Sequence, residues 1–328
     1  GTLPSTASVV QGLGIAASNG AHVELFGTVS IGNRHAALAA AHLGTQLVAR
    51  GVVTADTVAD SSSSFIGTGL NVILGAQALL TGARLSRGQL AGLFCSGAGT
   101  RVGLSDCVID ATQAQKAGDY EIGFGVFAVE GCQIELQAVR LSGHVAAAID
   151  AVGVGTRVRA IGTTADATLA EPTAGRGGYG ILVSAGAQAT IVGSRLWGNH
   201  TVGAAVNGSG SELSLVGTTI ADTQPEPASQ TVGAGAMALA GAAGLHLAAC
   251  RLVHNHAVGI GFDHAGGSVR HCAIVDTLAA QYARLDRKGR DTGTKVQLAD
   301  AVLVTDAPPV VIARSFARIF YRNAINIG

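Results

Sequence analysis

The sequence is poor in aromatic residues, in charged residues and in long apolar runs. Of its 328 residues, 4% are aromatic and 13% are charged, and 21 basic side chains balance 21 acidic ones. Phosphate backbones are bound through a basic excess, so this balance argues against nucleic acid as a partner. No stretch is long enough for a membrane span, since the most apolar one, residues 234–245, stops well short of the required length.

Cysteine motifs are also missing. The five cysteines are odd in number and form no Cys-x-x-Cys pair. This pattern argues against a disulfide framework and against a zinc site. We therefore expect most of them to be small core residues. The five are Cys95, Cys107, Cys132, Cys250 and Cys272.

Glycine and apolar residues are abundant, and the glycines recur. An apolar fraction of 48% excludes disorder, and 47 glycines without a strict triplet exclude collagen. Gly-x-Gly pairs recur at intervals of 55, 56, 55 and 55 residues, starting at Gly12, Gly67, Gly123, Gly178 and Gly233. Two further series keep the same step, one from Gly20 and one from Gly44. The chain is therefore built from an internal repeat of about 55 residues.

Each repeat divides into a short and a long half. Within each half the apolar residues alternate with polar ones, as in Val23 and Leu25, which indicates short strands. About 22 residues fit three strands and three corners wound once around an axis. We therefore predict an all-β, right-handed parallel β-helix of about 11 to 12 coils with a two-coil repeat. A six-bladed propeller and a leucine-rich repeat are the alternatives.

Polar loops follow every second coil in this scheme. They span residues 57–66, 111–122, 167–177 and 223–232. Their regular spacing predicts a row of loops along one edge of the rod. We expect a polysaccharide or a protein partner at this loop row.

The sequence pattern changes after residue 277. Residues 1–277 are predicted to be β-helix repeats with an N-terminal cap, and residues 278–328 the irregular last coil or coils and a C-terminal cap. Arg314, Arg318 and Arg322 leave a short amphipathic helix open as an alternative. The aromatic residues of this cap offer a route to a homo-oligomer. They are Phe316, Phe320 and Tyr321.

Two segments resemble a known repeat. Residues 195–206 and 251–262 both carry Asn, three further residues and then Gly with a small or apolar residue. They resemble the repeats of the pectate-lyase-like superfamily, in particular the NosD-type right-handed β-helix proteins. That superfamily includes polysaccharide lyases, glycoside hydrolases, epimerases, phage tailspikes and surface proteins. The resemblance therefore implies a scaffold and leaves the activity open.

A repeated arginine is the first candidate for ligand binding. Each of four arginines precedes a leucine, so that the arginine faces outward when the leucine faces the core. A line of guanidinium groups about 10 Å apart suits a periodic anionic chain. The alternative is a solvated face that Asp106 neutralises. The four are Arg84, Arg140, Arg195 and Arg251.

Aspartate, asparagine and histidine recur at the corners. The Asp residues and the interleaved Asn33, Asn199 and Asn255 predict a ladder of side-chain to backbone hydrogen bonds, with repeated calcium binding as the alternative. Four histidines near Trp197 are expected to be exposed turn residues, and a metal site there needs a third ligand. The aspartates are Asp56, Asp110, Asp166, Asp222 and Asp276, and the histidines are His144, His200, His254 and His256.

The catalytic candidates are Asp150, Asp263 and His264, which fall near one register of the long coil together with Asn207. Phe262-Asp263-His264 distantly resembles the Ile-Asp-His of pectate lyases, which implies a carboxylate site for Ca²⁺ and an arginine base. The polygalacturonase and alginate-epimerase motifs are missing from the sequence. An enzyme of this kind is expected to bring two carboxylates within about 10 Å in an open groove.

These observations lead to two expectations about function. The first is a non-catalytic bacterial protein, secreted or on the cell surface, that acts as a rigid scaffold or as a platform for glycans or proteins. The alternative is a carbohydrate-active enzyme, a polysaccharide lyase or glycoside hydrolase, acting on an acidic polysaccharide. No cofactor is expected for the first, and Ca²⁺ stays open for the second.

Overall fold

A computed structural model describes residues 12–59, 67–115, 121–227, 232–242 and 244–277, and the backbone alone of 116–117, 120, 296–299 and 302–304. Short alternating segments form strands, as the sequence predicts. In Gln46–Arg50, for example, Leu47 and Ala49 are buried while the end residues are exposed. The described residues contain no helix, so neither the leucine-rich repeat nor a membrane-spanning helix is found in them.

Three strands make one coil, and eleven coils follow one another. The first five coils hold β1 (Ile15–Ser18), β2 (His22–Phe26), β3 (Val29–Ile31), β4 (His35–Ala41), β5 (Gln46–Arg50), β6 (Val53–Ala55), β7 (Gly67–Ile73), β8 (Gln77–Thr81), β9 (Arg84–Ser86), β10 (Ala91–Ser96), β11 (Arg101–Ser105), β12 (Val108–Asp110), the hairpin strands β13 (Gln115–Ala117) and β14 (Tyr120–Ile122), β15 (Phe124–Val129), β16 (Gln133–Gln137) and β17 (Arg140–Ser142). The other six hold β18 (Ala147–Val152), β19 (Arg157–Ile161), β20 (Thr164–Asp166), β21 (Tyr179–Ser184), β22 (Gln188–Val192), β23 (Arg195–Trp197), β24 (Val202–Asn207), β25 (Glu212–Val216), β26 (Thr219–Ala221), β27 (Ala234–Leu239), β28 (Gly244–Ala248), β29 (Arg251–Val253), β30 (Ile260–Phe262), β31 (Gly267–Arg270), β32 (Ala273–Val275), β33 (Val296–Ala299) and β34 (Val302–Val304).

Each strand pairs in parallel with its equivalents in the neighbouring coils. The first sheet has 10 strands, from β1 to β30, and the second and third sheets have 11 each, ending at β33 and β34. The predicted right-handed parallel β-helix is therefore confirmed, and the propeller alternative is wrong. The predicted range of coils is also correct, with the eleventh described only in the second and third sheets.

The core is a set of apolar columns, in which equivalent residues of successive coils lie above one another. In the third sheet the central residues Leu85, Ile109 and Leu141 stack in this way and are at most 1% exposed. Burying such a side chain contributes about 1.5–3 kcal/mol. Because every coil repeats the same columns, the core runs along the whole rod.

A single corner explains two of the glycine series. Between the first and second sheets, Gly20, Gly44, Gly75 and Gly99 succeed one another in adjacent coils, with φ between +81° and +83°. This is the left-handed region, which glycine occupies without strain. The series from Gly20 and the series from Gly44 are therefore alternate members of one corner.

The long loops leave the rod where the third sheet passes to the first, after β6, β12, β20 and β26. The expected loop row is thus present, and one loop contains the antiparallel hairpin β13–β14. Beyond residue 277, β33 and β34 extend the second and third sheets. The rest of the C-terminal cap, including Phe316, Phe320 and Tyr321, lies outside the described residues, as does most of the N-terminal cap. The division at residue 277 and the homo-oligomer stay predictions.

The cysteines require one correction. All five are buried, as expected, but Cys95 and Cys132 form a disulfide. Cys95 lies on β10 and Cys132 at the corner before β16, so their side chains meet inside the core between adjacent coils. The pair could not be predicted from the sequence, because the 37-residue separation of the two cysteines reflects the loop lengths of this chain.

Candidate functional site

The outer face of the second sheet carries two polar columns. Its first column alternates glutamine and arginine over five coils, because β8, β11, β16, β19 and β22 all begin at the same register. The residues are Gln77, Arg101, Gln133, Arg157 and Gln188. We call this column with the side chains beside it the Arg–Gln face. The side chains beside it are Leu79, Glu135, Arg159 and Thr190.

A depression of about 490 Å³ lies on this face. It forms where Gly103, between Leu79 and Glu135, has no side chain to fill the column. A Cβ atom at Gly103 would meet only Leu79 Cδ2, at 2.8 Å. The depression is therefore a shallow groove along the rod, with arginines and glutamines on its walls.

The positive charge of this face is only partly neutralised. Arg159 Nη1 lies 3.0 Å from Glu135 Oε1, and Arg157 Nε donates to the neutral Gln188 Oε1 at 3.3 Å. Among the described residues, neither Arg101 nor Arg157 takes part in an ion pair. Two guanidinium groups two coils apart, roughly 10 Å, thus remain available to an anionic ligand.

The four predicted arginines do share one column, on the outer face of the third sheet. The residues between them are Val108, Thr164 and Thr219. Asp106 lies at the preceding corner with a φ of +54°, so the idea that it alternates with the arginines is wrong. Counting along the sequence placed it two residues out of register.

The carboxylates that neutralise this row come from the next coil along. Arg84 Nη2 lies 2.5 Å from Asp110 Oδ2, and Arg140 Nη2 lies 3.0 Å from Asp166 Oδ2. The bond to Asp166 raises the pKa of Arg140. Arg195 instead lies over the Trp197 ring, 5.1 Å from its centroid, as in a cation–π contact. Two arginines of the row are thus paired with carboxylates and a third lies over an indole ring, whereas Arg251 takes part in no ion pair among the described residues.

The repeated aspartates occupy two positions. Asp110 and Asp166 end their strands, whereas Asp56, Asp222 and Asp276 come one residue later with φ near +50°. Their side chains bind other side chains, since Arg87 makes two bonds to Asp56 and the Trp197 indole donates to Asp222. The bond to Arg87 lowers the pKa of Asp56.

The ladder of backbone bonds is formed by the asparagines. Asn199 Oδ1 accepts from Thr168 N at 3.1 Å, and its Nδ2 donates to Ala165 O at 3.0 Å. Asn255 binds Thr223 N and Ile220 O in the same way. Both asparagines are inside the rod, at 1% exposure. The expectation was therefore right for Asn199 and Asn255 and wrong for the aspartates, whereas Asn33 Nδ2 donates to a side chain, Ser30 Oγ, at 2.9 Å.

The four histidines do not form one exposed cluster. His144 is wholly buried at the position of the asparagines, and its Nδ1 lies 2.9 Å from Thr112 Oγ1. Burial lowers the pKa of His144 to about 4. His254 lies outside, between Asp222 at 3.6 Å and Asp276 at 3.3 Å. The described part of the chain holds no group of three or more His, Cys, Asp or Glu that could bind a metal ion.

Asp150 lies in an apolar setting on the outer face of the first sheet. Its column neighbours are Phe127 and Leu182, and it is only 7% exposed. Its Oδ1 has no hydrogen-bond partner, and burial raises the pKa of the carboxyl to about 7. The negative charge of Asp150, together with that of Glu171 and Glu226, raises the pKa of the half-buried Tyr179, for which burial is the larger cause.

Asp263 and His264 are not near Asp150. His264 Nδ1 lies 2.5 Å from Asp263 Oδ1, and both side chains are exposed. They follow β30, four coils from the β18 position of Asp150, which is roughly 19 Å along the axis. Asn207 shares the register of Asp263, whereas Asp150 is two positions earlier. The predicted constellation therefore falls into two separate places.

The Arg–Gln face was missed at the sequence level. The signal for it was present, because aligning the second strand of each coil places Gln77, Arg101, Gln133 and Arg157 at equivalent positions. The alternation was hidden by loops of different length between these strands.

Comparison with known proteins adds a distant structural likeness. No family model matches the chain, and no curated protein does. A crystal structure of the periplasmic alginate epimerase AlgG is similar over 90% of this chain and 79% of that one, with 10% identity and a TM-score of 0.45. A mutant of the same epimerase gives 9% identity and a TM-score of 0.36. A likeness of this degree carries no inference about the activity of this chain.

Proposed function

We propose that the protein is a non-catalytic scaffold, secreted or on the bacterial surface, that binds an extended anionic polysaccharide along the Arg–Gln face. The observation that carries this proposal is the column in which Arg101 and Arg157 alternate with glutamines at one interstrand spacing. A periodic polymer meets the same pair of donors, one arginine and one glutamine, every two coils of such a column.

The chemistry of the face suits carboxylate and hydroxyl groups. Guanidinium groups bind carboxylates through two parallel hydrogen bonds, and glutamine amides both donate to and accept from hydroxyls. The parallel ladders hold the backbone of this face rigid, so a bound ligand restricts the rotamers of the side chains alone. The groove at Gly103 admits one edge of the polymer between the two arginines.

The test compares the two arginine columns directly. The double variant R101Q/R157Q extends the existing glutamine column and leaves the core untouched. The matched control is R84Q/R140Q, which removes two guanidiniums of the same kind from the third sheet. Binding of polygalacturonate to each folded protein is measured by calorimetry at low and high salt, with a neutral glucan as the reference polymer.

We expect R101Q/R157Q to lose affinity for polygalacturonate by about tenfold or more, because a hydrogen bond to a charged group contributes about 1.5–3 kcal/mol. Binding should also weaken with salt. Loss of binding in R84Q/R140Q alone would assign the ligand to the row of Arg84, Arg140, Arg195 and Arg251. Equal binding of the neutral glucan would contradict recognition by charge.

A partner at the loop row stays a separate prediction. Parts of this row, residues 60–66, 118–119 and 228–231, lie outside the described residues. Binding that survives both double variants and is lost when the loop of residues 167–177 is shortened would favour it.

One observation favours the enzyme alternative. The Asp150 carboxyl, with its pKa raised to about 7, has the property required of a general acid at neutral pH. Product analysis with acidic polysaccharides tests this reading, and activity retained in Asp150→Asn would overturn it.

A further inference from the structure

Two of the free cysteines lie one above the other. In each coil, the corner between the second and third sheets lies one residue before the third-sheet strand. Cys250 and Cys272 come directly before Arg251 and Ala273, which pair with each other in adjacent coils. Cys250 and Cys272 therefore occupy equivalent corners of successive coils. The Cys250 backbone N–H donates to Cys272 Sγ at 3.4 Å, and both residues are 2% exposed.

The spacing of the two residues is that of a disulfide. Adjacent parallel strands lie about 4.8 Å apart, and bonded cysteines have Cα atoms about 4.4–6.8 Å apart. Cys272 Sγ is in contact with the Cys250 backbone, whose N–H donates to it at 3.4 Å. The interaction between the two side chains lowers the pKa of Cys272 and raises the pKa of Cys250.

From this geometry we infer that Cys250 and Cys272 form a second disulfide, which joins two neighbouring coils near the C-terminal end of the described rod. The oxidant is a low-molecular-weight disulfide such as oxidised glutathione. The bond closes one turn of the solenoid, whereas the Cys95–Cys132 disulfide joins a first-sheet strand to a corner of the next coil.

The exchange proceeds in two steps. The Cys272 thiolate attacks one sulfur of the oxidant, forms a mixed disulfide and releases one thiolate, which takes up the proton lost by Cys272. The Cys250 thiol then loses its proton, attacks Cys272 Sγ and expels the second thiolate, which takes up that proton. Two protein thiols are oxidised to one disulfide, and one oxidant molecule is reduced to two thiols.

Cys107 provides an internal comparison. It occupies the same corner in an earlier coil, but its neighbours there are Ala83 and Val139. Burial raises the pKa of its thiol. Cys107 therefore has no cysteine at its corner in either adjacent coil.

The same corner shows which substitution is suitable. In earlier coils Ser194 occupies it, and Ser194 Oγ accepts the Thr163 backbone N–H at 3.1 Å, as Cys272 Sγ accepts that of Cys250. Serine at position 272 therefore keeps the backbone bond and removes only the sulfur.

The experiment refolds the full chain from urea in a series of oxidised and reduced glutathione mixtures, since refolding gives the oxidant access to both thiols. Remaining thiols are alkylated, and the protein is digested without reduction for mass spectrometry. We expect a linked peptide pair containing Cys250 and Cys272, while Cys107 is alkylated throughout. Oxidation should raise the melting temperature of Cys107→Ser and of the wild type by more than that of Cys272→Ser.

The inference is overturned if Cys250 and Cys272 are both alkylated at every mixture that keeps Cys95 and Cys132 linked. A linkage of either residue to Cys107 would overturn it as well. Because the mass measurement uses the wild-type chain, it does not depend on how well the serine variants fold.

Discussion

Asn255 and Thr223, one coil apart, bind each other inside the rod: Asn255 Oδ1 accepts the Thr223 backbone N–H at 3.2 Å and its hydroxyl at 2.7 Å. Two coils earlier Asn199 Oδ1 accepts the Thr168 backbone N–H in the same way, but the buried Thr168 hydroxyl has no hydrogen-bond partner. The asparagine thus satisfies donors at the corner where the chain leaves for a long loop.

Replacing Asn255 by alanine should therefore destabilise the fold. The variant leaves buried donors of Thr223 and the acceptor Ile220 O without partners, which costs about 1–3 kcal/mol. Urea unfolding of Asn255→Ala measures the change, with the exposed Asn207→Ala as the control. Equal midpoints for the two variants would contradict this role.

His144 should make stability depend on pH. Its folded pKa of about 4 is below the unfolded value of about 6.5, so the unfolded chain binds a proton that the folded chain does not. The contribution of His144 to stability therefore falls as the pH is lowered from 6.5 to 4, by about 3 kcal/mol. His144→Asn should remove this contribution, because asparagine occupies the equivalent position at Asn199 and Asn255. Denaturant midpoints across this range measure it, and an unchanged slope in the variant would refute it.

Asp150 should make stability depend on pH in the opposite direction. Its folded pKa of about 7 is above the unfolded value, so the folded carboxyl keeps its proton while the unfolded one ionises. The stability that it contributes is complete below pH 3.8 and is lost as the pH rises to 7, by about 4 kcal/mol.

Asp150→Asn should therefore be more stable than the wild type at pH 7 and similar to it at pH 4. Asn71, in the same outward column of the first sheet, provides a neutral control through Asn71→Ala. Because His144 and Asp150 oppose each other between pH 4 and 6.5, the single variants should show steeper profiles than the wild type. If Asp150→Asn had the same stability as the wild type at every pH, protonation of this carboxyl would not be coupled to folding.

Replacement by alanine should change the stability of the protein differently at two glycines. At Gly92 a Cβ atom would lie 2.0 Å from Ile109 Cγ2 inside the core, whereas at Gly103 it would meet only the exposed Leu79 side chain, at 2.8 Å. Gly92→Ala should cost about 1–3 kcal/mol by overpacking, and Gly103→Ala should change stability little. Thermal unfolding distinguishes them, and equal losses would contradict the packing described here.

A substitution at Gly103 should also affect ligand binding. A larger side chain, as in Gly103→Leu, fills the groove of the Arg–Gln face without reaching the core. We expect it to weaken binding of polygalacturonate while leaving the melting temperature unchanged. Unaltered binding would show that the groove is not the contact surface.

The candidate site was much less predictable than the fold. The 55-residue repeat predicted that Arg84 and Arg140 lie in one column, since both precede a core leucine. The repeat did not predict that Asp110 and Asp166 neutralise Arg84 and Arg140. These two aspartates end their strands, whereas Asp56 comes one residue after its strand. The disulfide between Cys95 and Cys132 depends on the distance between a first-sheet strand and a corner of the next coil, and no sequence spacing encodes that distance.

The sequence by itself determined the β-helix, its two-coil repeat and its row of loops, because alternating apolar residues and corner glycines recur with the coil. Tertiary structure alone decided which charges are paired, where Asp150 is buried and which side chains form the Arg–Gln face. The reason is that a local pattern fixes which way each side chain points. Its neighbours in the adjacent coils are separated from it by loops of variable length, and only the wound chain brings them together.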